Sequence, residues 1–532
     1  MELTAEQKSI LATVKKMQSG ESLKIDACAG SGKTWILSEI ARQLPSEKFL
    51  YLAFNKSIIE EAKKKLGSNV TVKTTHSLAY TKIVASNSIY KKKNNLIGKL
   101  NIFHIKPLFP DVSNKKLADL LDAFDHYLNS SSRNPSKEIC LICEAVRKGI
   151  IPLTHSFYLK EYQLLSAEEK NLDRYDWILL DEAQDTNEVT LSIFRENDCK
   201  KIAVGDTQQS IYAFRGAINA LPCLKTDYSE QLSVSFRCAP EIIEKVNWAL
   251  SINHAQEHFK LSSMAQPHED RKHAYISRTN SSLIELISTA AKQNQLKKIR
   301  LLKQPDDLFK ACFNIRKLDN GSRAFDQEFK YFSNFDTLTD LKDYIDENTD
   351  QELNAAINIY KKYQQNLDYL YQMAEKLYSN DNGNIILCNA HISKGLEFHE
   401  VTLWQDFPDL FELQDNCIQD NGDPQEFIQE VNLYYVALTR CKSVLHDLTA
   451  TGKYYVTPDK EDTYNNTDLE LIKTESSNTV SSPDLQEKEN KVPQRFIADN
   501  QFIYKKRIYS IPPELMKAFH FFLDKLKCEG NY

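Results

Sequence analysis

Residues able to do phosphate chemistry stand in one short run, Ala27-Cys28-Ala29-Gly30-Ser31-Gly32-Lys33-Thr34. It follows an apolar, strand-like stretch at 23–27 and precedes the amphipathic pattern Trp35-Ile-Leu-Ser-Glu-Ile-Ala. Small residues there let successive backbone N–H groups wrap phosphate oxygens, and the helix start adds positive potential. Lys33 would neutralise the β and γ oxygens of a nucleotide, and Thr34 would ligate magnesium. Ala27 stands where such loops usually open with glycine.

A second run suits the same reaction. Trp177-Ile-Leu-Leu180-Asp181-Glu182-Ala-Gln-Asp185 is a hydrophobic strand ending in acids. Asp181 would hold the metal and Glu182 would orient and polarise the attacking water. Taken alone, these acids read slightly better as a cap on the next helix; beside a phosphate loop they read as its catalytic half. Hydrolysis also needs positive charge at the γ-phosphate when the site closes. Arg237, in Ser233-Val-Ser-Phe236-Arg237, and Arg440, in Tyr434-Tyr-Val-Ala-Leu-Thr439-Arg440, are the candidates. Such arginines contribute on the order of 10³ to 10⁵ in rate elsewhere, although in isolation either would more often form a surface ion pair.

The elements that must position these residues are legible as short β-rich runs at 23–27, 49–54, 177–181, 201–205, 274–277, 385–388 and 401–404, alternating with helical patterns. This alternation predicts an α/β fold of parallel sheets with crossover helices. Two long gaps between the runs read as inserted, mainly helical subdomains. In the second gap Leu353, Ala356, Tyr360, Tyr363, Leu367, Leu370, Ala374 and Leu377 predict one long amphipathic helix, stopped by the turn cluster Asn380-Asp-Asn-Gly383. From about Tyr455 to Pro493 the composition is that of a flexible linker, and Phe519, Phe521 and Phe522 mark a tail expected to dock as a helix.

Composition narrows the classes. With 26% charged and 42% hydrophobic residues the chain can build cores, and its 532 residues call for several of them. The formal net charge of -6, from 67 Lys and Arg against 73 Asp and Glu, means that any nucleic-acid track is a local patch. Cys140 and Cys143 form the only Cys-x-x-Cys pair; with no further ligands nearby it reads as helix packing, and free thiols imply a reducing compartment. Neither a leader nor an apolar run long enough to span a membrane is found, so a cytoplasmic protein is expected, or a nuclear one in a eukaryote.

In order along the chain stand Gln7, the loop at 27–34, Phe54-Asn55-Lys56, Thr75-His76-Ser77, Asp181-Glu-Ala-Gln-Asp185, and Val204-Gly-Asp-Thr-Gln-Gln-Ser-Ile-Tyr-Ala-Phe-Arg-Gly-Ala217. Phe236-Arg237, Ser277-Arg-Thr-Asn280, His391-Ile-Ser-Lys-Gly-Leu-Glu-Phe398 and Tyr435-Val-Ala-Leu-Thr-Arg440 follow. This ordered set resembles that of the UvrD/Rep-type superfamily 1 DNA helicases. Within that group Phe49-Leu-Tyr-Leu-Ala-Phe-Asn-Lys-Ser57, His76-Ser-Leu-Ala-Tyr80 and Asn219-Ala most resemble the F-box DNA helicases. The motor begins at residue 3 with no F-box ahead of it, so the ubiquitin-ligase side of that family is not expected.

The resemblance implies two RecA-like parallel-sheet P-loop domains with inserted helical subdomains. The first domain would take 1–80 and 166–240, with an insertion at 81–165; the second 241–300 and 380–454, with an insertion at 301–379. A linker at 455–495 and a tail at 496–532 complete the chain. It further implies ATP and Mg²⁺ as cofactors, with Gln7 reading adenine, Phe236 stacking on it, Glu397 touching the ribose and Gln209 sensing the γ-phosphate. Trp35 replaces a frequent Arg and is a candidate to pack on the base. Phe54, Asn55, Lys56, His76, Tyr212, Phe214, Arg215, Arg278 and His391 fall in the DNA-facing motifs, where aromatic faces hold bases at about 1 to 3 kcal/mol each without reading them. Phe214 replaces a more usual Trp. Lys91, Lys92 and Lys93 beside Tyr90 are either a phosphate contact or a solvated charge run.

The expected activity is ATP-driven movement on single-stranded DNA, 3′ to 5′, with unwinding at single-strand/duplex junctions, in repair, recombination control or defence. Stripping of recombinase filaments without unwinding, with a recombinase as protein partner, and a nucleotide-gated binding module are the alternatives.

Overall fold

The computed structural model describes residues 2–53, 56–92, 96–169, 172, 174–213, 216–253, 258–266, 271–292, 296–348, 350–419 and 422–456, and the backbone of 495–498, 501–504 and 507–510. Two parallel sheets organise it. The first contains β1 (Ser22–Ala27), β2 (Phe49–Ala53), β3 (Val70–Thr74), β4 (Trp177–Leu180), β5 (Lys200–Gly205) and β6 (Tyr228–Leu232), in the order β3-β2-β4-β5-β1-β6. The second contains β7 (His273–Ser277), β8 (Ile299–Leu301), β9 (Ile385–Asn389), β10 (Phe398–Leu403) and β11 (Cys441–Asp447), in the order β8-β9-β7-β10-β11. All neighbours in both sheets run parallel.

Four of these strands were not among the expected runs: β3, β6, β8 and β11. Each is an edge strand. Central parallel strands are covered on both faces and read as continuous apolar runs, as in β2 and β4, where every residue is buried. An edge strand has one neighbour and more solvent. β3 is only half-buried throughout, and β6 exposes Ser229 and Gln231 and buries only Leu232, so neither carries that signature.

Side chains of β2 and β4 alternate between two cores. Leu50, Leu52, Ile178 and Leu180 share one apolar core with Val189 and Ile193 of the helix Glu188–Arg195, a core that extends to Leu117, Phe124, Ile142 and Phe157 of the first insertion. Phe49, Tyr51, Trp177 and Leu179 face the helices Ala5–Lys16 and Lys33–Gln43 through Ile10, Leu37 and Ile40. The second sheet repeats this layering. Tyr275 and Leu387 pack on the second insertion, and Ala274, Ile276 and Val401 on the helices Pro240–Ser251 and Pro424–Leu438.

The single long helix expected from Leu353 to Leu377 is two helices, Gln351–Tyr363 and Leu367–Tyr378, split by a 3₁₀ turn at Gln364–Asn366 where Gln364 takes φ +27°. Both halves bind the helix Pro305–Asp319: Tyr371 donates to Asp306 (2.9 Å) near its start, Tyr360 to Asp319 (2.7 Å) at its end. A three-residue 3₁₀ turn advances nearly one helical turn, so the apolar phase runs through the break unchanged and periodicity misses it.

Cys140 and Cys143 share the helix Lys137–Arg147, the first exposed and the second buried, and among the described residues no cluster of three or more metal-ligating side chains occurs. No described helix is long and apolar enough to cross a membrane. The expected linker and Phe519, Phe521 and Phe522 lie outside the described residues, apart from the linker's ends; three antiparallel strands, Arg495–Ala498, Gln501–Tyr504 and Arg507–Ser510, lie where the linker gives way to the tail.

Phe309 is fully buried in the second insertion's core together with Trp404. Phe309→Ala should remove about 3–5 kcal/mol of stability, read by urea titration with Trp404 fluorescence; a loss below about 1 kcal/mol would show that this core does not depend on it.

Candidate functional site

In open parallel sheets ligands gather outside the carboxyl ends of the strands. The first sheet places its motif residues there: the phosphate loop after β1, Thr75 and His76 after β3, Asp181 after β4 and Gln209 after β5. Gly30 (φ +74°) and Gly32 (φ +85°) adopt left-handed conformations, and a Cβ on Gly30 would lie 2.5 Å from that of Arg237. That close approach is fixed by Phe236 N–H donating to Gly30 O (2.9 Å) and Ser235 Oγ donating to Ala29 O (2.8 Å). The helix begins at Lys33, so its unpaired first-turn N–H groups face the loop.

Lys33 Nζ donates to Ala27 O at 3.3 Å, and Thr34 Oγ1 donates to Asp181 Oδ2 at 3.3 Å. Asp181 Oδ1 accepts from Glu182 N–H at 2.9 Å, and Oδ2 also accepts from the Tyr51 hydroxyl. A hydroxyl and a buried carboxylate this close are the hard oxygen donors magnesium takes, so Thr34 and Asp181 fit that ion. Burial, followed by the neighbouring Glu182 charge, pushes Asp181 above the usual carboxylate range. Glu182 goes the other way. Burial opposes its ionisation, but Lys33, Lys394, the Gln184 amide at 2.6 Å and Arg440 outweigh that. Glu182 sits at φ +52°, an uncommon backbone for a side chain and one found at positions held for function.

Across this cleft the second sheet supplies contacts that the sequence alone did not single out. Tyr435 Oη donates to Asp206 Oδ2 (2.9 Å) and accepts from Ala29 N–H (3.1 Å), while Gln209 Nε2 donates to the same Asp206 oxygen (2.6 Å). Lys394 Nζ pairs with both oxygens of Asp185 (2.8 and 2.6 Å), donates to Gln209 O (2.6 Å) and lies 5.0 Å from the centre of the Tyr212 ring. Arg237 pairs with Glu397 at 2.9 Å, and Lys442 reaches the other Glu397 oxygen at 2.9 Å. Arg440 is almost wholly buried, donating to Val436 O, Leu396 O and Thr439 Oγ1; burial, then the adjacent Arg237, brings it down to about 10, so it stays charged at neutral pH. Lys33, Asp181, Glu182, Gln209, Arg237 and Arg440 therefore line one seam. The signal for Lys394 and Tyr435 was their place inside motifs already picked out; their partners depend on how the sheets meet.

The residues expected to hold the base are less gathered. Gln7 is buried, but its Oε1 accepts from Thr4 N–H (3.1 Å) in a capping box at the helix start. Trp35 is 45% exposed and Phe236 half-buried. Among strand-track candidates, the Tyr212 and His391 rings lie 6.1 Å apart. His76 packs edge-on against Tyr158 of the first insertion at 6.0 Å. Arg278 is engaged elsewhere: its guanidinium forms a two-pronged pair with the buried Glu430, with a shortest contact of 2.6 Å. Lys56 opens the helix Lys56–Lys65, and Tyr90 with Lys91 lies in the short helix Ser88–Lys92. Phe54, Asn55, Phe214, Arg215 and Lys93 lie outside the described residues.

Known proteins similar to this chain are DNA helicases by name. A family model described as an AAA domain matches residues 11–215, which contain the loop, the acids and Gln209. F-box DNA helicase 1 of Gallus gallus is 28% identical over 524 residues, covering 86% of this chain and 50% of the relative. F-box DNA helicase protein 1 of Schizosaccharomyces pombe (strain 972 / ATCC 24843) is 28% identical over 536 residues, covering 85% of this chain and 58% of the relative. Over most of its length the chain is therefore similar to F-box DNA helicases. A probable DNA helicase II homolog of Mycoplasma capricolum subsp. capricolum (strain California kid / ATCC 27343 / NCTC 10154) is 25% identical over 179 residues, 31% of this chain and 24% of the relative. The chain spans about half the length of the two F-box relatives.

Burial, and then the nearby His155, brings His76 down to about 4 from an ordinary 6.5. The unfolded chain then binds more protons at this site between pH 4 and 6.5, so its contribution to stability is complete above 6.5 and disappears as pH falls toward 4. The unfolding free energy of His76→Gln should accordingly fall less than that of the parent between pH 6.5 and 4, measured by urea titration at stepped pH; equal slopes would place His76 in solvent.

Proposed function

We propose that the chain is an ATP-hydrolysing motor that moves along single-stranded DNA, 3′ to 5′, and opens duplex at single-strand/duplex junctions. The observation that carries this reading is the seam itself. Charges from both sheets converge on Glu182, and one of them, Lys394, also touches the Tyr212 ring of the strand-facing motif. A protein that only bound nucleotide would have no need of a buried acid faced by cations from two sheets.

In this reading the loop at 27–34 holds the phosphates and Lys33 neutralises their developing charge. Magnesium held by Thr34 and Asp181 would supply further neutralisation at the β and γ oxygens. Glu182, kept ionised by its cationic neighbours, accepts a proton from the attacking water. Gln209 senses the γ-phosphate, and Arg237 leaves Glu397 to meet it together with Arg440, which draws the sheets together. Gln7, Phe236 and Trp35 take the adenine and Glu397 the ribose. Phe54, His76, Tyr212, Phe214 and His391 stack on bases, while Asn55, Lys56 and Arg215 hold phosphates. Arg278, already paired with Glu430, braces that wall. Opening and closing of the two sheets then shifts grip along the strand. The names of the F-box relatives, both DNA helicases, support DNA as the polymer.

ATP turnover should rise strongly on adding single-stranded DNA to the parent protein. Glu182→Gln should bind ATP yet turn over roughly 10²–10⁴-fold more slowly, and Lys33→Ala should show near-zero turnover. Parent rates that are equal with and without polymer would defeat the motor reading.

Lys394→Ala separates the two halves of the proposal. It should still bind nucleotide and single strands but lose most of the polymer stimulation, with Lys394→Arg recovering part of it. Full stimulation in Lys394→Ala, measured in the same steady-state assay, would show that the ammonium is not the link.

A further inference from the structure

β2 reads Phe49-Leu50-Tyr51-Leu52-Ala53, and every residue is buried. Tyr51 is the only one with a polar side chain. Its ring belongs to the core between the first sheet and the helices Ala5–Lys16 and Lys33–Gln43, packed with Phe49, Ile36 and Trp177. A phenylalanine would fill that core without a hydroxyl to satisfy. Burying a phenol without a partner costs about 1–3 kcal/mol, so where it points is constrained.

The hydroxyl donates to Asp181 Oδ2. β2 and β4 are neighbours with Tyr51 opposite Leu179, so Asp181, two residues further on, lies diagonally across on the same face. The oxygen that takes the phenol also takes Thr34 Oγ1 at 3.3 Å. The other oxygen, Oδ1, takes Glu182 N–H at 2.9 Å. Without Tyr51, the one donor left on Oδ2 would be a hydroxyl that the metal itself needs. With Tyr51, both ends of the carboxylate are held by groups that stay in place when a cation arrives.

We propose that Tyr51 is a positioning residue for the metal carboxylate: its phenol pins Asp181 beside Thr34 and so sets how tightly the nucleotide site takes a hard divalent cation. This rests on the nucleotide-site reading above and adds a residue from outside the motifs that define that site. Partners that orient a metal ligand typically govern affinity by about 10- to 100-fold.

The test is Mn²⁺ binding to the protein in saturating ADP, measured from the free-ion EPR signal, for the parent, Tyr51→Phe and Phe49→Leu. Phe49→Leu is the packing control, because Phe49 lies on the same face of β2 and stacks on Trp177 at 5.7 Å. Tyr51→Phe should bind Mn²⁺ about 10- to 100-fold more weakly while its ADP affinity in EDTA, by calorimetry, stays that of the parent. Phe49→Leu should melt at a lower temperature and keep the parent's Mn²⁺ affinity. Equal Mn²⁺ affinity in Tyr51→Phe and parent, or an equal loss in Phe49→Leu, overturns the role of the phenol alone. A parent that takes no Mn²⁺ with ADP overturns the nucleotide site as well.

Discussion

Carboxylates buried beside one another must be given cations or protons, and this requirement governs the centre of the molecule. Asp26, Asp181, Glu182, Asp185 and Asp206 all lie at the carboxyl ends of the first sheet, and burial raises four of them above the usual carboxylate range. The first sheet offers Lys33 in return. Lys394 and Arg440 come from the second sheet, and together with Lys33 they bring the fifth, Glu182, below its ordinary value. Removing one partner of a buried pair such as Lys394 and Asp185 typically costs about 3–5 kcal/mol, because the remaining charge is stranded. The two sheets are therefore tied electrostatically at the place where a nucleotide's own charge would enter.

That arrangement gives the seam a reason to respond to ligand. A triphosphate brings negative charge to a place where cations are already shared among carboxylates. Arg237 is held by Glu397 and Lys394 by Asp185, so any redistribution of these cations changes contacts between the sheets. Lys394 also lies against the Tyr212 ring, which in turn faces His391 of the second sheet. A packed, charge-balanced seam has few intermediate arrangements, which favours discrete open and closed states over gradual deformation.

Legibility followed burial. Central strands such as 49–53 and 177–180 are covered on both faces and so are apolar throughout, which made them readable; the edge strands 70–74, 228–232, 299–301 and 441–447 were not, since one side of each meets solvent or loops. The break at Gln364 escaped for another reason: a 3₁₀ turn keeps the apolar phase, and the two halves it separates reach opposite ends of the helix Pro305–Asp319 through Tyr360 and Tyr371.

By itself the sequence determined the chemistry available and its order: a loop of small residues before Lys33 and Thr34, acids after an apolar strand, and arginines far along the chain. Local spacing is enough for these because a phosphate loop and a strand-end carboxylate are each built within a few residues. Tertiary structure decided the partners. That Arg278 faces Glu430, that Lys394 joins Asp185 to Tyr212 and that Tyr51 ends on Asp181 depend on strand order and on how two sheets meet. Pairs separated by more than a hundred residues leave no periodic trace along the chain; only packing brings their atoms within reach.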